Sequence, residues 1–277
     1  MKTEKFKRIV GNTIVIALVV AIMSSCNIKE KRQYFYGEDT DPQKTGVLRL
    51  SIFGGEKQNV SYGIYDSLII TGGDIVLQDL SRGEGLRGNG EFGKTWGKKI
   101  IPYTVVETIN NTQRGIITAA IAHWTEKTGL QFRTRNENDM DYLNFTKAKT
   151  SSVSSSFVGM QGGRQNIWLG TQTGLSVAIH EIGHTVGLWH EQSRRDRDQY
   201  INVILENIKP RNRFNFDIEG TAIGVYDFKS RMHYDIYSFS RNGKATIVPK
   251  NPANLIQSDG FLSEGDIASV SKLYAEK

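Results

Sequence analysis

Cysteine is almost absent from the chain, with Cys26 alone among 277 residues. That excludes an intramolecular disulfide and any metal site built from several cysteines. A strong charge of one sign is lacking too. The net charge is +6, and half of it comes from Lys2, Lys5, Lys7 and Arg8 against Glu4. The rest is spread thinly, with no Lys/Arg run and no basic stripe studded with aromatics, which argues against a nucleic-acid partner. Internal repeats are missing. No apolar run is long enough for a membrane span: Ile14–Met23 is unbroken, but a bilayer core needs about 20 residues. Gly83-Glu84-Gly85-Leu86-Arg87-Gly88 spells GxGxxG, yet no helix pattern follows to receive a phosphate, so a dinucleotide site is excluded. What is present, 38% hydrophobic and 23% charged residues, suffices for one sizeable folded domain, alone or with a smaller companion.

The positive start MKTEKFKR followed by Ile14–Met23 reads as a signal peptide over residues 1–25. Cys26 stands directly after Ser24-Ser25, a pattern resembling a bacterial lipobox with Met23 in place of the usual Leu. In that reading Cys26 is lipidated and tethers the protein to a membrane by its N-terminus. Two other readings stay open: an incidental residue near an ordinary cleavage site, or a thiol that plugs a metal site. Each predicts export, to the cell envelope (outer membrane or surface) or to the medium. Residues 27–46 are polar and read as a tether. Strands are expected at Val47–Phe53, Val60–Ile70 and Asp74–Leu80, then a stretch from Ser81 to Gly97 too rich in glycine for a regular element and open to cleavage.

From Lys98 the pattern is that of one compact domain. A strand is expected at Lys99–Val106 and a helix at Arg114–Thr128, with Ile116, Ile117, Ala120, Ile121 and Trp124 on one face and Gly129 as its stop. His123 lies beside that face and reads as structural. Short strands are expected at Leu130–Arg133, Asp141–Phe145 and Gln165–Leu169, and a second helix from Leu175.

That helix carries His180-Glu181-Ile182-Gly183-His184, followed by Gly187 and His190. His180 and His184, four residues apart, project from one helical face and can share a metal. Gly187 allows the chain to reverse and bring in His190. Three imidazoles with one open position is the ligand set of a catalytic zinc. Glu181 then reaches the open position without being a ligand, as a general base and later a proton donor.

HExxHxxGxxH with a downstream Met-turn, here Ser230-Arg231-Met232-His233-Tyr234, is the metzincin signature. With His190–Asp198 (HEQSRRDRD), Tyr200–Ile208, Met232–Ser240, Leu262–Ile267, Leu273-Tyr274 and the spacing of Trp96 to Pro102, the chain resembles the astacin family of zinc metalloendopeptidases over residues 95–275. The resemblance implies a two-lobed α+β metzincin domain over residues 88–277, with a single zinc in the cleft between lobes. It also implies protein or peptide substrates bound in extended form; a monomer is expected. By the same resemblance Met232 forms the floor under the zinc, and Tyr234 is a switchable fifth ligand that turns to the oxyanion. Glu191 ties down the mature N-terminus, Arg195, Asp196, Arg197 and Asp198 form ion pairs, and His233 is not a ligand. Arg241 would line a pocket for the acidic residues that family members often favour.

Gly73-Asp74-Ile75-Val76-Leu77 resembles the family's pro-segment motif, in which an aspartate caps the zinc; Thr71 replaces the usual Phe. Residues 26–87 would thus be tether plus inhibitory pro-segment, with Asp74 as the switch. The competing reading is a turn aspartate before a strand. An activating protease would cut at Arg87–Gly88 or at Arg82–Gly83. The positions of the two disulfides of animal members hold other residues, which is compatible with a bacterial, flavastacin-like branch. Two rival readings are a surface binding lipoprotein on a silent protease fold, and a zinc hydrolase of cell-wall peptides.

Overall fold

A computed structural model of the chain describes residues 35–38, 40–82, 91–148 and 152–275. The expected signal peptide, Cys26 and the Arg87–Gly88 bond lie outside the described residues.

Ten strands form one sheet. Four N-terminal strands, β1 (Lys44–Ile52), β2 (Lys57–Tyr65), β3 (Leu68–Thr71) and β4 (Ile75–Asp79), run antiparallel in sequence order. The span 60–70, expected as one strand, is a hairpin broken at Asp66, whose φ of +53° makes the turn. Aspartate is among the few non-glycine residues that enter this region readily. Every residue of β3 and β4 is buried. This explains their continuous apolar reading, since a strand covered on both faces shows no alternation.

The remaining strands are β5 (Glu91–Phe92), β6 (Ile100–Val105), β7 (Gln131–Thr134), β8 (Tyr142–Lys147), β9 (Ser155–Ser156) and β10 (Arg164–Leu169). The sheet order is β5-β1-β2-β3-β4-β9-β10-β8-β6-β7. The N-terminal strands therefore continue the domain's own sheet, joined where Ile75 of β4 pairs in parallel with Ser156 of β9.

Helix α1 (Asn111–Thr128) begins earlier than its apolar periodicity suggests. The Asn110 side chain accepts from the Gln113 amide at 2.9 Å and caps the first turn. Gly129, at φ +72°, ends it as expected. Ile117, Ala120, Ile121 and Trp124 are buried, each of the large side chains contributing about 1.5–3 kcal/mol. The Trp124 indole donates to the Ile179 carbonyl of α2 (Leu175–Thr185) at 3.0 Å, fixing the ligand helix on α1.

After α2 the second lobe is less regular. It holds a two-stranded sheet of β11 (Ile201–Val203) and β12 (Ile247–Pro249), and α3 (Glu264–Leu273), started by a Ser263/Asp266 capping box. One sequence expectation is overturned here. Phe35 and Tyr36, read as part of a polar tether, are only 4% and 7% exposed, and Phe35 packs into the apolar core of this lobe. A window dominated by charged residues hides two aromatic anchors.

Candidate metal centre

His180 and His184 lie on the inner face of α2, and every residue of that helix from Ser176 to Thr185 is buried. Gly187, at φ +114°, turns the chain after it, and His190 returns to the same point. A Cβ on Gly187 would meet Leu273 at 2.6 Å, so the turn needs glycine for room as well as for conformation.

The imidazoles are oriented from behind. His180 Nδ1 lies 2.9 Å from the Arg231 carbonyl and His184 Nδ1 2.8 Å from the Leu188 carbonyl. A carbonyl only accepts, so Nδ1 carries the hydrogen in both rings and each Nε2 presents a lone pair. Those Nε2 atoms are 3.0 Å apart, and His190 Nε2 is 3.3 Å from that of His180. Asp74, wholly buried, completes the group: its carboxylate oxygens lie 3.2, 3.4 and 3.2 Å from Nε2 of His180, His184 and His190.

Two observations show that this cluster fits a zinc ion. Four ligands about 2.0–2.1 Å from a tetrahedral zinc are about 3.3–3.4 Å from one another, which is close to the spacing found here. The electrostatics agree. Burial lowers His180 to about 3 and also lowers His190, so both favour the neutral ring. Burial alone would raise Asp74, but the three imidazoles gathered around it hold it well below the usual carboxylate range. Neutral rings around an ionised carboxylate leave converging lone pairs and a buried negative charge, which a cation neutralises.

Glu181 is fully buried and its carboxyl is pushed well above the ordinary value, first by burial and then by the charge of Asp74. The Ser156 hydroxyl donates to its Oε2 at 2.8 Å, whereas Oε1 has no hydrogen-bond partner among the described residues. Tyr234, 1% exposed, donates its hydroxyl to the Gly72 carbonyl, and its ring lies 4.8 Å from that of His190. Met232 is buried beneath α2, and Asp266 holds its turn by accepting from Ser230 Oγ at 2.6 Å and the Arg231 amide at 2.8 Å.

The other residues singled out in the sequence fall around this centre. His233 contacts Tyr226 Oη and the Tyr234 carbonyl, outside the cluster, and His123 accepts from the Leu262 amide. Glu191 Oε1 accepts from the Asp227 amide at 2.7 Å and from Arg194 at 3.0 Å, and burial raises this carboxyl to about 8. Asp196 pairs with Arg194 and Asp198 with Arg197, but Arg195 instead donates to Gln58 of β2. Arg241 is exposed, its guanidinium donating to the Glu206 carbonyl. Sequence reasoning misses Ser156, one of several adjacent serines with nothing to distinguish it. Glu219 is missed as well: its carboxylate takes the Thr71 hydroxyl at 2.8 and 2.9 Å.

Residues 89–275 match the peptidase family described as Astacin. The chain is 37% identical over 188 residues to zinc metalloproteinase nas-14 of Caenorhabditis elegans, covering 65% of this chain and 37% of that protein. It is 36% identical over 193 residues to bone morphogenetic protein 1 of Xenopus laevis, covering 65% and 27%. Thus it spans well under half the length of these two relatives. Among solved structures it resembles high choriolytic enzyme 1, a hatching enzyme zinc-protease of the medaka Oryzias latipes. The TM-score is 0.60 at 29% identity, over 67% of this chain and 95% of that one.

Proposed function

This chain belongs to the astacin family, and from that premise we propose that it is a zinc endopeptidase made in latent form, with residues 26–87 as its inhibitory segment. The observation that carries the reading is Asp74, whose carboxylate closes the fourth side of the histidine cluster. His180, His184 and His190 would hold the zinc, which when bound acidifies water and polarises a carbonyl.

The chain's own groups supply the rest. Ser156 presents its amide to the Asp74 carbonyl at 3.1 Å. Once the segment leaves, that edge is free to take an extended peptide by strand addition. Glu181, with one oxygen held by Ser156 and the other unpaired among the described residues, takes a proton from the attacking water and returns it to the leaving amine. Tyr234, released from the Gly72 carbonyl, donates to the scissile oxygen as charge gathers there.

Peptide or protein substrates, an activating protease cutting at Arg87–Gly88 or Arg82–Gly83, and a monomeric state complete the reading. Export follows from Ile14–Met23, with Cys26 as lipid anchor. Among the described residues no helix is long and apolar enough to cross a membrane. Casein digestion by the full chain before and after limited trypsin treatment, with zinc analysis and a Glu181→Ala control, tests the proposal. The expected result is zinc-dependent activity that appears on trypsin treatment and is lost in the variant. Zinc-loaded, cleaved protein without peptidase activity contradicts it and favours a binding lipoprotein.

A further inference from the structure

Four consecutive N-terminal residues each face one group of the domain's wall. Asp74 faces the histidines, the Gly73 amide donates to Asn215 Oδ1 at 3.1 Å, and the Gly72 carbonyl accepts from Tyr234. Thr71 donates to Glu219. Thr71 and Glu219 are both buried in this arrangement, at 0% and 3% exposure.

Glu219 is fixed from its own side. Its amide donates to the Ser193 carbonyl at 2.8 Å. The next residue, Gly220, lies so close to Trp189 that a Cβ would meet the indole at 2.7 Å. The backbone that carries the carboxylate therefore stays in place when Thr71 leaves. Arg197, whose field it feels, is already committed to the carbonyls of Gln192 and Phe216. A carboxylate facing an opened cleft with no cation of its own attracts a donor and repels an anion.

We propose that Glu219 sets the preference of one subsite of the cleft, selecting a substrate side chain that donates a hydrogen bond (Ser, Thr, Lys or Arg) and rejecting Asp and Glu. This deepens the peptidase reading and rests on it. It also runs opposite to the acidic preference that the family resemblance suggests, because Arg241 turns to Glu206 while Glu219 faces the position of Thr71.

Two measurements test the proposal. In the first, the trypsin-activated chain is profiled on a peptide library. At one position near the scissile bond, donor side chains should be cleaved at least about tenfold faster than acidic ones, and Glu219→Gln should erase most of that ratio. In the second, peptides spanning residues 66–79 are titrated by calorimetry at about pH 9, where Glu219 is ionised even when covered, into the activated, zinc-loaded Glu181→Ala protein. Thr71→Asp should bind at least about tenfold more weakly than the natural peptide, and Glu219→Gln in the protein should narrow the gap. Equal cleavage of acidic and donor side chains, or equal binding of the two peptides, overturns the assignment. The binding measurement decides the matter even if no hydrolysis occurs, so failure of this inference is separable from failure of the peptidase reading.

Discussion

Gly183, between the two histidines of α2, faces the thioether of Met232 so closely that a Cβ there would lie 2.6 Å from Sδ. Helix and turn are thereby set at a distance at which a methyl fits only if the buried Met232 side chain shifts. Gly183→Ala should force them apart, with overpacking costing about 1–3 kcal/mol. Thermal unfolding should show a drop of roughly 2–4 °C for each kcal/mol in a domain of this size. Zinc content measured alongside should also fall, because His180 and His184 ride on the same segment. An unchanged melting temperature would mean that the turn yields freely.

The Ser156–Glu181 hydrogen bond gives a kinetic prediction. A bond to a charged group contributes about 1.5–3 kcal/mol. If it positions the base, Ser156→Ala should lower kcat roughly ten- to a hundredfold and leave KM nearly unchanged. A change confined to KM would place Ser156 in substrate pairing only.

Much of this architecture is legible in the sequence. The histidine spacing, Glu181, the Gly187 turn and the Gly129 helix stop follow from helical geometry and from glycine's freedom, both local properties. The partners brought in from a distance are not legible. Ser156 reaches Glu181 across 25 positions and Glu219 reaches Thr71 across 148, and neither type of residue announces such a partner. Phe35 and Tyr36 are hidden by a charged neighbourhood, although the Phe35 ring packs 4.5 Å from that of Tyr234. The hairpin at Asp66 is masked because burial on both faces removes the alternation that marks strand ends.

Glu219 also predicts a pH dependence. Burial, reinforced by Asp217 and opposed by Thr71 and Arg197, raises its carboxyl from the ordinary 4.5 to about 8. Between those values the folded protein keeps a proton that the unfolded chain has released. Stability therefore falls as pH rises through this window, by up to about 1.4 kcal/mol per pH unit. Urea unfolding of the full-length protein at about pH 5, 6.5 and 8 should show that loss, to which Glu191 also contributes, and Glu219→Gln should make it shallower. Parallel pH profiles for the two proteins would remove Glu219 as the cause.

Latency imposed by Asp74 is tested most directly by casein hydrolysis with zinc-loaded, full-length Asp74→Ala and no trypsin. Clear activity is expected where the wild-type chain, equally loaded and uncut, shows almost none. A variant as silent as the wild type before cleavage, yet fully active after it, would contradict latency imposed by Asp74.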